Sequence, residues 1–149
     1  MTNIDTIFRS TLLAVLLAAA GCATAPPSTT RAAPSAVPPD GSGRIVFYRP
    51  SGLFGYAMRP DIFLDGRKVG ESAPGAQFHV DAAPGIHHVT VPNSLYSGDR
   101  RLEVTVRNKE IVYVRTSLGG SAFAGRTNVE LIGASEGKDE SANLEVVSH

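Results

Sequence analysis

The chain has little cysteine and no excess of charge of either sign. A single cysteine among 149 residues excludes an internal disulfide, so a folded domain must be stabilised by its core. The chain has fourteen basic and fourteen acidic side chains, and this balance argues against a nucleic-acid partner. The leading apolar run, residues 11–20, covers about 15 Å as a helix, half of a bilayer core, and is too short to be a transmembrane span.

No catalytic or cofactor constellation stands out. None of Ser51, Ser94, Ser97 and Ser121 lies in a Gly-x-Ser-x-Gly turn, and the glycine-rich stretch 118–125, interpreted as a flexible loop, lacks the Gly-Lys-Ser/Thr of a phosphate-binding loop. Asp61 and Asp65 share one face of a short strand, but nothing indicates a cleft where two carboxylates converge. The sequence therefore predicts no catalytic residue and no cofactor, and we expect a protein that is not an enzyme.

The cysteine, Cys22, is preceded by Ala19-Ala20-Gly21 at the end of the short apolar run. This arrangement resembles the processing site of bacterial lipoproteins, in which residues 1–21 are a signal peptide that is removed. The resemblance implies that Cys22 carries diacylglycerol and a further acyl chain such as palmitate, which together anchor the protein stably in a membrane. Ala23 is not the aspartate that retains such proteins in the inner membrane, so the periplasmic leaflet of the outer membrane is expected.

Residues 22–43 follow as a segment rich in proline, alanine and serine, with no large aromatic side chain. Such a composition cannot bury enough apolar surface to offset the entropy of ordering, so the sequence predicts a disordered tether. We interpret it as a spacer; a proline-rich docking peptide is the alternative.

Residues 44–147 are typical of one small all-β domain. Runs of β-branched and aromatic residues alternate with turns, as at Ile45–Tyr48, at the Asp65-Gly66 turn that joins two short strands, and at Gln77–Asp81. Short strands at even spacing predict an all-β sandwich or barrel rather than βαβ units, and we expect a small antiparallel β-sandwich. Only residues 136–144 leave an alternative open, a short helix or a loop before a last strand at 144–147.

Several of these runs carry a resemblance to a known family. They are GRIVFYRPSG at residue 43, PDIFLDGRKVGE at residue 60, FHVDAAPGIHHV at residue 78 and VYVR at residue 112. They resemble a bacterial lipoprotein family with a domain of unknown function, which is similar to PEGA-type and transthyretin-like β-sandwiches. The resemblance implies an envelope lipoprotein and no known activity.

Histidine is the residue type that best suggests a metal. If a turn at 82–85 joined two paired strands, His79 would lie opposite His88 and share a face with Asp81. Two histidines and a carboxylate can bind zinc. Here only the two histidines would be firm ligands and a third firm ligand is missing, so no metal is predicted. His87 lies on the apolar face and is expected to be a structural, hydrogen-bonded histidine.

The best candidate for a functional surface is the loop formed by residues 50–59, called here the 50–59 loop. It holds Phe54, Tyr56, Met58 and Arg59, and aromatic and arginine side chains are frequent anchors of interfaces. The competing interpretation is that the aromatic rings fold back onto the domain. The sequence thus favours a lipid-anchored envelope protein that binds another envelope component, protein or glycan; an envelope hydrolase acting on cell-wall or lipid material is the alternative.

Overall fold

The computed structural model of the protein describes residues 36–52, 55–92, 99–119 and 126–147. Within these ranges the chain forms nine strands and one helix. The strands are β1 (Gly43–Arg49), β2 (Asp61–Leu64), β3 (Arg67–Glu71), β4 (Ala76–Ala82), β5 (Gly85–Val91), β6 (Arg100–Val106), β7 (Ile111–Gly119), β8 (Arg126–Ile132) and β9 (Glu145–Val146), and the helix is α1 (Ala134–Ser141).

The strands form two sheets that pack as a sandwich. One has five strands in the order β8-β7-β1-β4-β9, and the other has four in the order β3-β2-β5-β6. The predicted all-β sandwich is confirmed. Most neighbours are antiparallel, but β1 pairs with β7 in parallel and β4 with β9 in parallel, so the larger sheet is mixed.

The main core lies between the two inner faces. Strand β1, at the centre of the larger sheet, is buried along its whole length. Its inner side chains, Ile45 and Phe47, meet apolar residues from both sheets, and the ring of Phe47 stacks on that of Phe78 at 5.1 Å. Burial of such side chains from water supplies the main driving force that a domain without disulfides needs.

The pairing considered for residues 82–85, in which a turn joins β4 and β5 as paired strands, does not occur. Both sides of β4 are occupied by β1 and β9, and both sides of β5 are occupied by β2 and β6. The chain therefore passes from one sheet to the other at Ala83-Pro84, where Gly85 has a φ of 153° that side chains rarely permit. His79 lies opposite Val46 in the larger sheet, whereas His88 lies opposite Glu103 in the smaller one.

The predicted turn at Asp65-Gly66 is confirmed. Both residues have positive φ, 50° and 81°, as a type I′ turn requires, and they join β2 to β3.

Of the two alternatives left open near the C-terminus, a short helix or a loop, the structure has the helix. Residues 134–141 are helical, and a two-residue strand follows. The predicted loop at 118–125 begins later than expected, since Leu118 and Gly119 belong to β7; residues 120–125 lie outside the described residues.

The described end of the predicted tether packs on the domain. Pro38 is buried, the carbonyl of Ala36 accepts a 2.8 Å hydrogen bond from Arg44 Nη1, and the N–H of Gly41 donates to Asn108 Oδ1 at 3.1 Å. The structured part of the chain therefore begins before Arg44. The predicted signal peptide and Cys22 lie outside the described residues. Within those residues, no helix combines the length and apolar character that crossing a membrane requires.

Candidate functional site

The 50–59 loop is organised by one buried cation, Arg49, the last residue of β1. Its guanidinium donates from Nη1 to the carbonyls of Met58 at 2.9 Å and Ser72 at 3.1 Å, and from Nη2 to the carbonyl of Gly55 at 2.9 Å. Arg49 is only 4% exposed. Burial lowers the pKa of this guanidinium, which still remains charged because arginine starts above about 12. The planar donor group thus fixes two points of the loop and the neighbouring segment.

One close approach and two backbone hydrogen bonds fix the backbone further. A Cβ on Gly55, whose φ is +69°, would come within 2.4 Å of Leu118 Cδ1, so glycine is required there for space as well as for conformation. A turn closes at Met58, whose N–H donates to the carbonyl of Gly55 at 2.9 Å. Just beyond the loop, the N–H of Ser72 donates to the carbonyl of Pro60 at 2.9 Å. The described loop residues are therefore held by tertiary contacts.

On this fixed backbone the described side chains differ in their exposure. Tyr56 is 74% exposed, Arg59 is exposed, and Met58 is half-buried. Phe54 lies outside the described residues. The interpretation in which Tyr56 folds back onto the sandwich does not hold, because most of the surface of this residue is exposed to solvent. A rigid backbone that presents an aromatic ring and a guanidinium is suited to binding, since little conformational entropy is lost when a partner docks.

A second polar cluster lies on the outer face of the larger sheet, beneath α1. Tyr48 donates its phenolic hydrogen to Glu140 Oε2 at 2.7 Å, and Arg115 contacts Glu140 at 2.9 Å, Glu130 at 2.9 Å and Glu136 at 3.5 Å. These residues come from two central strands, an edge strand and the helix. We call this cluster the helix clasp.

The protonation states of the helix clasp suit packing rather than proton transfer. Burial and the bond to Glu140 raise the pKa of Tyr48 well above its usual value. The hydrogen bond from Tyr48 lowers the pKa of Glu140, and the bond to Glu130 raises that of Arg115. Tyr48, Glu140 and Arg115 are therefore held in their ordinary charge states at neutral pH, and none of the three is poised as a general acid or base.

His87 forms a third cluster at the corner where β4 leads into β5. Its Nδ1 lies 2.7 Å from Asp65 Oδ2 and its Nε2 lies 2.8 Å from the carbonyl oxygen of Ala83. Both partners accept hydrogen bonds, so the imidazolium, with two N–H groups, satisfies the site better than either neutral tautomer. The bond to Asp65 accordingly raises the pKa of His87 and lowers that of Asp65. The prediction of a hydrogen-bonded structural histidine is confirmed.

The other candidate residues are dispersed. His79 and His88 lie on different sheets. Asp81 forms a bidentate ion pair with Arg44, in which Nε donates to Oδ1 at 2.7 Å and Nη2 donates to Oδ2 at 3.0 Å. Among the described residues no group of three or more potential metal ligands forms. Asp61 pairs with Lys68 at 2.7 Å, at the opposite end of β2 from Asp65.

Sequence reasoning missed Arg49 and the helix clasp. Arg49 precedes Pro50 at the end of an apolar strand, and a basic residue there reads as a solvated strand end. Nothing local reveals that carbonyls 6, 9 and 23 residues away converge on it. The helix clasp joins residues up to 92 positions apart, beyond the reach of any periodicity.

Comparisons with known proteins give a family without a described activity. A family profile described as "Protein of unknown function (DUF2846)" matches residues 39–126, more than half of the chain and a span that includes the 50–59 loop. An "Uncharacterized protein" of Haemophilus influenzae (strain ATCC 51907 / DSM 11121 / KW20 / Rd) is 27% identical over 146 residues, which are 95% of this chain and 85% of that protein. No solved structure matches the chain significantly.

Proposed function

The chain belongs to the DUF2846 family of proteins of unknown function, and from this premise we propose that it is a lipid-anchored envelope protein whose sandwich binds another envelope component without catalysis. The proposed binding surface is the described part of the 50–59 loop. The observation that carries the proposal is the exposure of Tyr56, at 74%, on a backbone held by the buried Arg49. An exposed aromatic ring on a fixed loop is a frequent anchor of an interface.

The anchoring part of the proposal rests on the sequence. Cys22 follows small residues at the end of a short apolar run, as in bacterial lipoproteins, and a PEGA-like or transthyretin-like sandwich would be consistent with an envelope surface domain. The expected location is the periplasmic leaflet of the outer membrane. Intact-mass spectrometry of membrane-extracted protein tests this, since Cys22 should be the acylated N-terminus; a mature chain with a free thiol at Cys22 would exclude the anchor.

Binding is preferred over hydrolysis because the carboxylates that the sequence offered for catalysis are occupied. Asp61 is paired with Lys68, and Asp65 with His87. A general acid needs a raised pKa, whereas the bond to His87 lowers that of Asp65. These contacts support a structural role for both residues.

Site-specific crosslinking in intact cells tests the binding surface. A photoreactive residue placed at Tyr56 should give a discrete crosslinked product in the envelope. The matched control is Ile86, which is 60% exposed at the opposite end of the sandwich and should give none. Equal products from both positions, or none from position 56, would contradict the proposed surface.

A further inference from the structure

The point where the described chain enters the sandwich and the 50–59 loop lie at opposite ends of the domain. The described chain enters at the end where Arg44 holds the carbonyl of Ala36, and β1 then runs seven residues, about 20 Å, to Arg49 and the 50–59 loop. We call the first the entry end and the second the loop end. Any anchor that precedes residue 36 is therefore joined to the entry end, and Tyr56 lies at the far end of the domain.

Strand register places further arginines at the loop end. Arg100 lies opposite Val91 and Arg101 opposite Thr90, where β5 ends and β6 begins. Arg59 comes directly after the 50–59 loop. All three arginines are exposed, and none forms an ion pair with a carboxylate of the described residues. Arg126, opposite Gly119 at the start of β8, is exposed at the same end.

None of the carboxylates described at the loop end forms an ion pair with Arg59, Arg100 or Arg101. Asp61 and Glu71 are both held by Lys68, at 2.7 and 3.1 Å, while Asp99 and Glu145 are exposed and form no ion pair with a described residue.

At the entry end, by contrast, most cations already have partners. Arg44 pairs with Asp81, Lys109 with Asp40, and Arg107 with Glu110; only Arg67 is without a carboxylate among the residues described there. Among the described residues, the arginines without a carboxylate partner, Arg59, Arg100 and Arg101, are thus concentrated at the end of the sandwich that carries the exposed Tyr56.

From this arrangement we propose that the loop end binds a carboxylate-bearing glycan chain of the cell envelope. Arginine pairs with carboxylates through parallel hydrogen bonds, and the flat face of a tyrosine offers an apolar surface for a sugar ring. The inference rests on the proposed function, because it assigns a partner to the same loop. A membrane surface fits less well, since the described chain enters from the opposite end and Tyr56 is the one large apolar residue exposed in the described part of the 50–59 loop.

Co-sedimentation of the full-length protein, solubilised in detergent, with purified peptidoglycan sacculi tests the inference. Wild-type protein should sediment with the sacculi, and binding should fall by about tenfold when Arg100 and Arg101 are both changed to Gln, because two ion pairs are lost. Amidation of the sacculus carboxylates should have the same effect. The control Arg67→Gln removes an unpaired, exposed arginine at the entry end and should bind as the wild type does.

The outcomes separate this inference from the proposed function. Sedimentation that is unaffected by Arg100→Gln/Arg101→Gln or by amidation overturns the glycan assignment, and so does binding to anionic phospholipid vesicles in preference to sacculi. If position 56 still crosslinks in cells to a protein while sacculi do not bind, the binding surface stands and the glycan is excluded. Loss of both crosslinking and sedimentation rejects the two together.

Discussion

The hydroxyl of Tyr48, in the central strand β1, donates a 2.7 Å hydrogen bond to Glu140 in α1, ninety-two residues later in the chain. The helix has only eight residues, too few to be stable alone in water. Its attachment to the sheet therefore depends on such contacts and on the apolar patch formed by Val46, Tyr48 and Tyr113 beneath it.

Removing the Tyr48 hydroxyl should weaken this attachment. Tyr48→Phe keeps the buried ring but takes away a hydrogen bond to a charged acceptor, which contributes about 1.5 kcal/mol or more. We expect a lower free energy of unfolding by about that amount, measured by denaturant titration. Tyr113→Phe is the matched control, because the Tyr113 hydroxyl makes no hydrogen bond within the described residues, and it should be nearly neutral. Equal losses from both changes would contradict the role of the helix clasp.

Gly137 should resist replacement although it lies within a helix. Helix propensity alone favours Gly→Ala by about 1 kcal/mol. Here the new Cβ would lie 2.4 Å from both Cβ and Cγ of Tyr113, and such overpacking costs about 1–3 kcal/mol. Gly137→Ala should therefore lower the melting temperature. The same change at Gly52, which lies outside the helix and has nothing within 4 Å of the added atom, should leave it nearly unchanged; a stabilised Gly137→Ala variant would show that the helix does not pack on Tyr113.

The His87–Asp65 pair predicts a defined pH dependence. The pKa of His87 is raised in the fold, so its contribution is complete below the unfolded value of about 6.5 and is lost as pH rises through the folded value. The pKa of Asp65 is lowered, so its contribution is present above about 3.9 and is lost as pH falls through the folded value. The pair should stabilise the fold most near pH 5.

Unfolding titrations of wild type and His87→Gln at several pH values test this dependence. The free energy of unfolding of wild type should exceed that of His87→Gln by the largest amount at about pH 5. This difference should shrink as pH rises and the imidazolium of His87 loses its proton. His88→Gln is the control, since its exposed side chain lies 3.8 Å from Glu103 and its backbone N–H to Asp65 is unaffected. A difference for His87→Gln that grows with pH would reverse the sign and refute the assigned charge state.

Arg49 should be needed for the position of the 50–59 loop rather than for the sandwich alone. Lysine keeps the charge, but its single ammonium cannot reproduce the forked contacts to Gly55, Met58 and Ser72. In Arg49→Lys we expect faster amide hydrogen exchange at Gly55–Met58 and a reduced yield of crosslinks from position 56. Unchanged exchange in that segment would show that Arg49 does not hold the loop.

The strands could be predicted from sequence because their causes are local. Alternation in β6 and the positive φ demanded at Asp65-Gly66 act within a few residues, and both were predicted. Sheet partners could not be predicted, since alternation is the same in a hairpin and in a chain that crosses between sheets, as at Ala83-Pro84. The parallel pairing of β1 with β7 depends on residues more than sixty positions apart.

The candidate surface was only partly predictable for a related reason. Composition indicated Tyr56, Met58 and Arg59, because aromatic and arginine residues crowd one short loop. Exposure distinguishes an anchor from a core residue, and it depends on what packs behind the loop, here Arg49 and Leu118. Arg100 and Arg101 come from a strand more than forty residues later in the chain, and only the topology of the smaller sheet brings them to the same end of the sandwich as the loop.

The most direct test of the proposed function is the Tyr56→Ala variant of the full-length protein, compared with Ile86→Ala. Crosslinking of whole cells with a general bifunctional reagent would report partner capture, and the melting temperature of the purified proteins would report folding. The account predicts that Tyr56→Ala loses most of the crosslinked product and keeps the wild-type melting temperature, while Ile86→Ala keeps both. Retained capture in Tyr56→Ala, or a fall in its melting temperature that accounts for the loss, would contradict the claim that this exposed ring is the binding anchor.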